Sequence, residues 1–350
     1  MNIVLKTKMY HYHLFTLFVL MAAGLSAQDI HFSQYYNSPL TINPALTGVS
    51  AGDIRLSGIY RSQWNAANSP FKTMQVSADK KFYTIAHTKW WFSAGMNVFY
   101  DRAGDANFEN TNVQLSGSYT RMLDRQNFMT VGLSAGFGQR RFDFGHLTFD
   151  DQWNGRIFDP ARGINENFDD TNLLYPDFGV GFNWRGQGNK FMGRERTKID
   201  LGAGAFHLSR PNQSFNKADK SELPVRLSVY LLPTFQLKKN GDLVGHATYQ
   251  KQGKYQEALM GVGYRYFLST KKSKEMAVQL GFSYRFNSIG DAFIPAVEFH
   301  YRSIMVGFSW DINVSGFSSA TNRNGGPEIG IRYILKKVYP LRAVKACPLI

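Results

Sequence analysis

The chain is short of several things, and each shortage closes off a class of protein. It has a single cysteine, Cys347, in 350 residues, so no intrachain disulfide framework holds it together. Beyond residue 28 no apolar run approaches the roughly 20 residues that a membrane-crossing helix needs, and mean hydropathy is −0.30. A helical membrane protein is excluded. No low-complexity block or linker interrupts residues 28–350, which read as one domain. Acids are few, 26 Asp and Glu against 40 Lys and Arg. Catalytic signals are thin. No Gly-x-Ser-x-Gly motif stands next to a histidine, the lone cysteine lacks a paired histidine, and EF-hand spacing is absent. The expectation is a protein that is not an enzyme and has no cofactor or metal.

What is present begins with a leader. Residues 1–27 have the layout of a secretory signal: Lys6 and Lys8 form the basic start, Leu14–Ala23 a short apolar core, and Ala27 precedes a cut before Gln28. Its removal takes away two lysines and no acid, lowering the formal charge from +14 to +12. That excess suits anionic neighbours such as lipopolysaccharide head groups or an acidic partner, and equally a basic surface with no dedicated ligand. Nucleic acid is not expected as a partner of an exported chain whose basic residues are dispersed.

Past the leader, apolar and polar residues alternate in about fourteen segments. Met276–Asn287 is the clearest: Met276, Val278, Leu280, Phe282, Tyr284 and Phe286 fall on one face, with Gln279, Ser283 and Arg285 on the other. The runs through Phe293–Tyr301 and Ile304–Val314 repeat the pattern. Period two over ten residues signals a strand. Strands with one apolar and one polar face, behind an export signal, point to an all-β fold, a transmembrane outer-membrane β-barrel of about 14 antiparallel strands. The strands are placed near 53–62, 70–79, 90–101, 111–123, 128–139, 176–186, 197–208, 224–236, 242–250, 257–268, 275–287, 291–302, 303–315 and 327–337. Residues 28–52 form a periplasmic N-terminal segment, 53–338 the barrel, and 339–350 a periplasmic tail.

Loop lengths fit this layout. Such barrels keep short turns on the periplasmic side and longer loops outside. The even-numbered connections include the tight steps at Asp124–Asn127, Lys238–Asp242 and near Arg302, whereas the odd-numbered ones include Arg140–Tyr175 and Arg210–Leu223. Gly186–Arg196 is long for a periplasmic turn. Parity assigns a lumen-facing set of mixed sign: Arg55, Arg61, Asp177, Arg185, Arg226, Arg265, Arg285, Glu298, Asp311, Glu328 and Arg332. Opposed charges there rigidify the barrel by pairing, and ion selectivity or partner contact is the alternative.

The segment QDIHFSQYYNSPLTINPALTG (Gln28–Gly48) followed by YRSQWNAANSPFKTMQVSAD (Tyr60–Asp79) resembles the start of the PorP/SprF family of outer-membrane proteins of Bacteroidetes. Further segments agree in order: TFDDQWNGRIFDP (Thr148–Pro160), YPDFGVGFNW (Tyr175–Trp184), GAGAFHLSRPNQSF (Gly202–Phe215), LPVRLSV (Leu223–Val229) and YQKQGKYQEALMGVGYRY (Tyr249–Tyr266), with Gly290–Tyr333 completing the match. The resemblance implies a barrel of the type IX secretion and gliding machinery. It would work beside periplasmic ring proteins, and secrete or hold at the surface cargo proteins bearing a C-terminal sorting domain. The chain departs from the family in continuing past Tyr333 through Leu341–Ile350, a tail carrying Cys347 and Pro348.

Candidate contact residues follow. Phe32, Tyr35 and Tyr36 lie in an aromatic, Asn- and Pro-rich stretch that docks in the lumen, binds a periplasmic partner, or clamps the periplasmic mouth. The long outer loop offers Asp151 and Trp153 for a protein contact, and its acids, Asp150, Asp151, Asp159, Asp169 and Asp170, are oxygen ligands of the kind calcium takes, though ordinary solvated acids are the simpler reading. The basic turns supply Arg194, Arg196, Lys238, Lys239, Lys271, Lys272 and Lys274 for periplasmic contacts. His207 and His246 read as girdle or lumen residues. The rival function is a general or anion-selective diffusion porin.

Overall fold

The protein is seen in a computed structural model, which describes residues 29, 31–63, 71–84, 87–104, 107–143, 149–163, 171–188, 196–216, 220–271, 274–287, 292–314 and 322–336. Fourteen strands follow one another in chain order. They are β1 (Ile54–Gln63), β2 (Phe71–Thr84), β3 (His87–Ala103), β4 (Phe108–Met122), β5 (Asn127–Arg141), β6 (Asn172–Gln187) and β7 (Lys198–Phe206). The second half comprises β8 (Arg226–Lys238), β9 (Gly241–Gln252), β10 (Tyr255–Ser269), β11 (Met276–Asn287), β12 (Ala292–Tyr301), β13 (Ile304–Asn313) and β14 (Asn324–Leu335). Each pairs antiparallel with its neighbours in sequence, and β1 returns to pair with β14, from Ile54↔Leu335 to Arg61↔Glu328, closing the sheet into a barrel. The expected fourteen-stranded barrel is what is found.

Burial is inverted relative to a water-soluble protein. Leu115, Leu133, Leu174 and Leu280 on the outer wall are each more than 60% exposed, while Asn37, Asn43, Asp177, Asn183, Asp242 and Ser309 are fully buried. An outward apolar band around a polar interior is stable only where the surroundings are hydrocarbon. Tyr264, Tyr266, Tyr301 and Tyr333 stand exposed on the outer wall near one rim, where Trp90, Phe92 and Tyr119 also cluster with ring centroids 5.2–6.0 Å apart. Such amphipathic rings suit a membrane–water boundary.

The two rims differ. Residues 53 and 336, at the ends of the barrel, lie at the rim where connections are brief, including 85–86, 239–240 and 302–303. We call this the terminal rim. The opposite rim, the loop rim, carries the 142–171 and 207–225 connections. β2 and β3 run several residues beyond the expected boundaries into a tight hairpin, because Lys80 and Lys81 interrupt the apolar count without interrupting the pleat. β7 is short. It pairs with β6 only from Val180 onward, and beyond it Leu208 N–H donates to Phe178 O at 3.1 Å while Ser209 Oγ donates to Pro176 O at 2.8 Å, so the 207–225 connection takes over as the wall's neighbour there. Pro176, having no N–H to offer, suits that edge.

Candidate functional site: the occupied lumen

Of the placements open to the N-terminal segment, its described residues take the lumen, lying inside the barrel along most of its length. Asp29 sits among loop-rim ends of strands: its N–H donates to Gln252 Oε1 at 2.7 Å and its carboxylate meets His207 and Arg226. Gly48 N–H, at the other end of the segment, donates to Asp79 of β2 at 2.8 Å near the terminal rim. Between them run three turns of 3-10 helix, Tyr35–Asn37, Pro39–Thr41 and Pro44–Leu46. Pro39 and Pro44 each occupy the first turn position, where a missing N–H loses nothing. Asn43 caps the third turn, accepting from Ala45 N–H at 2.8 Å.

This plug is held by short polar side chains that reach many strands. Ser33 and Gln34 N–H groups donate to Glu328 of β14 at 2.8 and 2.6 Å, and Ser33 Oγ donates to Asp311 of β13 at 2.7 Å. Asn43 Nδ2 donates to Phe182 O of β6 and to Tyr230 of β8. Ser228 Oγ donates to Ile42 O, and Ser118 Oγ to Thr47 O. Glycines make room where the plug touches the wall. A Cβ on Gly132 would stand 2.5 Å from Ala45 N, and one on Gly204 would stand 2.7 Å from Ile42 O. A small apolar cluster, Tyr35, Ile42, Leu46 and Val49 with Tyr230, Leu259 and Ile294, fills the space beside the turns.

The charges sort by depth. Near the loop rim Arg61 of β1 bonds Asp311 at 2.7 Å, lies 3.8 Å from Glu328 and donates to His31 O. Arg285 of β11 bonds the same Asp311 oxygen at 2.8 Å, and His31 meets Glu257 at 2.9 Å. His207, just past β7, is clasped between Asp29 and Asp177. Burial pushes the imidazole down, but the two carboxylates outweigh it and raise it to about 9. Burial pushes Asp29 up, while His207 and Arg226 outweigh that and hold it well below the ordinary carboxylate range. Near the terminal rim Arg55 pairs with Asp79 and Arg185 with Asp200, both at 2.7 Å, and each also donates to plug carbonyls at Leu46 or Val49. Among the described residues, Arg265 and Arg332 bond neutral oxygens, those of Gln279 and Asn37. Glu298 pairs with His300 at 2.9 Å.

The expected partner contacts are placed unevenly. Phe32 and Tyr35 are 3% and 2% exposed within the plug, and Tyr36 packs on His246 at 4.7 Å. Phe32 and Tyr35 offer no surface to a partner while the plug is seated, and Tyr36 is half-buried. Arg196 is committed to its own rim: it pairs with Asp242 at 2.9 Å, donates to Lys238 O and Lys239 O, and stacks on Phe267. Lys238, Lys239, Lys271 and Lys274 are exposed at the terminal rim, while Arg194 and Lys272 lie outside the described residues. In the long loop Asp151 and Trp153 are exposed, and Trp153 pairs with Phe158 in a small hairpin turned at Gly155. Its apolar side chains Trp153, Ile157 and Phe158 are 41–62% exposed, a knob that Trp153 alone foreshadowed. Asp150 and Asp151 open a 3-10 turn and Asp159 bonds Ala161 N–H, so they do not converge on a cation; Asp169 and Asp170 lie outside the described residues.

Little here resembles a catalytic centre. Gly48–Gly52 and Gly132–Gly136 are Gly-x-Ser-x-Gly pentapeptides, but Ser50 bonds Gly52 O and Ser134 Oγ has no partner. His246 does meet Ser283 at 3.1 Å, yet its Nδ1 is buried without a partner, so no carboxylate orients the ring as a nucleophile's base requires. A residual cavity of about 50 Å³ beside Asp29, Thr41, Phe99, Tyr175 and Arg226 holds a few waters at most.

A family model described as "Type IX secretion system membrane protein PorP/SprF" matches residues 24–333. No curated protein matches the chain. Solved structures with similarity include a Pseudomonas aeruginosa FadL homologue, 11% identical over 83% of this chain and 92% of that one, TM-score 0.48. The P. putida toluene transporter TodX is 8% identical over 86% and 95%, TM-score 0.48. BamA from Haemophilus ducreyi lacking POTRA domains 1-3 is 9% identical over 80% and 69%, TM-score 0.41.

Proposed function

The chain belongs to the PorP/SprF family of type IX secretion system membrane proteins, and from that premise we propose that it is a non-catalytic docking barrel of the outer membrane. In this reading the leader is cleaved on export, the terminal rim faces the periplasm and the loop rim faces outward. The loop rim, with its Trp153–Phe158 knob, receives a secreted cargo protein through the cargo's C-terminal sorting domain. Exposed lysines of the terminal rim, Lys238, Lys239, Lys271 and Lys274, meet the periplasmic ring, and lipopolysaccharide surrounds the outer rim.

The observation that carries this reading is the seated plug. Fourteen strands enclose more space than an eight-stranded barrel, whose side chains just fill it, and less than porins of 16–18 strands, which leave an aqueous channel. Here the chain's own residues 29 and 31–50 take up that space through bonds to opposite walls. A barrel closed in this way serves recognition at its two rims, and it argues against the diffusion-porin alternative. The test is a clean deletion of the gene followed by quantitative mass spectrometry of the secreted and surface proteome. Loss of one or a few proteins bearing the sorting domain supports cargo-specific docking, and collapse of the whole class indicates a core secretion component. An unchanged proteome overturns the secretion role.

A further inference from the structure

The plug satisfies the charges of the loop-rim half of the lumen and leaves those of the terminal-rim half unbalanced. Cations from five strands share one space beneath it: Arg55 (β1), Arg185 (β6), Lys198 (β7), Arg265 (β10) and Arg332 (β14). Lys198 feels the like charges of Arg185, Arg265 and Arg332 against the opposite charge of Asp200, and Arg332 feels Arg265 and Arg55 against Glu298. Four carboxylates on the same wall include Asp242, which stands opposite Arg265 in the β9–β10 pair and is bound to Arg196 at 2.9 Å. Asp79 and Asp200 are bound to Arg55 and Arg185, and Glu298 to His300. Among the described residues, Lys198, Arg265 and Arg332 form no ion pair within 4 Å.

A guanidinium has five N–H donors in a fixed fork. Arg332 uses one of them on Asn37, and Arg265 directs two to the single oxygen of Gln279. Like charges drawn together inside low-dielectric walls repel, and a cleft of one sign focuses field on an incoming counter-charge. The rim around the opening is basic too, through Lys238, Lys239, Lys271 and Lys274.

We infer that the terminal-rim half of the lumen is a receptor for an acidic peptide segment of a partner protein, whose carboxylates enter the opening and engage Lys198, Arg265 and Arg332. A peptide fits better than a single small anion because the positive surface continues from the lumen onto the rim. The inference rests on the assignment of this rim to the periplasm, where the partner would lie.

The test uses the full-length barrel purified in a zwitterionic detergent at low salt, with fluorescein-labelled octa-glutamate as the probe. Octa-glutamine serves as the neutral control, and inorganic phosphate as the small-anion competitor. Binding of octa-glutamate alone is expected, weakening steeply with salt. The triple variant Lys198→Gln, Arg265→Gln, Arg332→Gln should reduce the affinity by about tenfold or more, and the rim variant Lys238→Gln, Lys239→Gln by much less. Heat-modifiable electrophoretic mobility confirms that each variant is a folded barrel. If the triple variant is too unstable, Arg265→Gln alone is measured and should still weaken binding. Equal binding of both peptides, or an unchanged affinity in the lumen variants, would overturn the inference. Phosphate binding with no octa-glutamate binding would make this a small-anion site and overturn it equally. Because the isolated barrel is measured, failure here leaves the proteome test of secretion untouched.

Discussion

Replacing Arg61 by methionine should loosen both the barrel's closing seam and its plug. Arg61 stands opposite Glu328 in the β1–β14 pair that closes the sheet, and its side chain is 1% exposed. It bonds Asp311 at 2.7 Å, approaches Glu328 at 3.8 Å and donates to His31 O of the plug. Methionine keeps the aliphatic stem and removes the charge, leaving Glu328 to the Ser33 and Gln34 N–H groups without its facing cation and Asp311 to Arg285. Removing one partner of a buried pair costs about 3–5 kcal/mol, far more than an exposed pair's ~0–1 kcal/mol. Arg285 remains on Asp311, so the loss should fall near the low end, about 3 kcal/mol. Urea unfolding of the reconstituted barrel, followed by tryptophan fluorescence, measures it. Adding Glu328→Gln removes the carboxylate charge, so the two changes should be non-additive by about 1–3 kcal/mol. A second readout is proteolysis within residues 31–36, which should accelerate in Arg61→Met, since the same carboxylates hold Ser33 and Gln34. An Arg61→Met barrel within about 0.5 kcal/mol of the parent, or strict additivity with Glu328→Gln, would refute the pairing logic.

Two further outcomes follow from the same plug. Gly132→Val places branched carbons against Ala45 N, which already lies 2.5 Å from where a Cβ would stand; the plug should be displaced while the barrel closes, giving steady conductance in planar bilayers where the parent shows none, and a silent variant would count against a tightly seated plug. The clasp at Asp29 should be pH-dependent with a definite sign. His207, raised to about 9, contributes stability that is full below its unfolded value near 6.5 and is lost as pH rises through about 9. Asp29, lowered, contributes above its unfolded value near 3.8. Hydrogen exchange of residues 31–34 should therefore stay slow from weakly acidic to neutral pH and quicken towards pH 9. His207→Gln should abolish that step, and a step centred near pH 6 would contradict the clasp.

The strands were legible where alternation holds over many residues, as it does in Met276–Asn287, and parity alone also put Arg61, Arg285, Asp311 and Glu328 on the lumen face. Their pairing was not legible. Arg61 and Asp311 are 250 residues apart, and meet only through the β1–β14 closure, whose register no local pattern encodes. The path of the plug was hidden for a related reason. Its contacts are made by Ser33, Gln34, Asn37 and Asn43, residue types that read as loop wherever they occur, and its turns announce themselves only through Pro39 and Pro44. The bonding of Arg196 within its own rim was equally invisible, since it depends on Asp242 and Phe267 arriving from β9 and β10.

The plug also constrains how the barrel must be assembled. Asp29 lies among the loop-rim ends of the strands, so the segment runs down the lumen towards β1 rather than hanging below it. Threading the segment into a finished barrel would require stripping water from Ser33, Asn37 and Asn43 before any partner was reached, and unpaired buried polar groups are costly. The opposite order avoids that penalty. If the strands close around a segment already bonded to them, each side chain exchanges water for its final partner as the wall arrives. The β1–β14 seam is then the last pair to form, and it is where Arg61, Glu328 and the plug's Ser33 and Gln34 meet. On this route the parent's plug is seated by the time the seam closes, whereas a wall that closes without it, as Gly132→Val should, leaves those side chains to water.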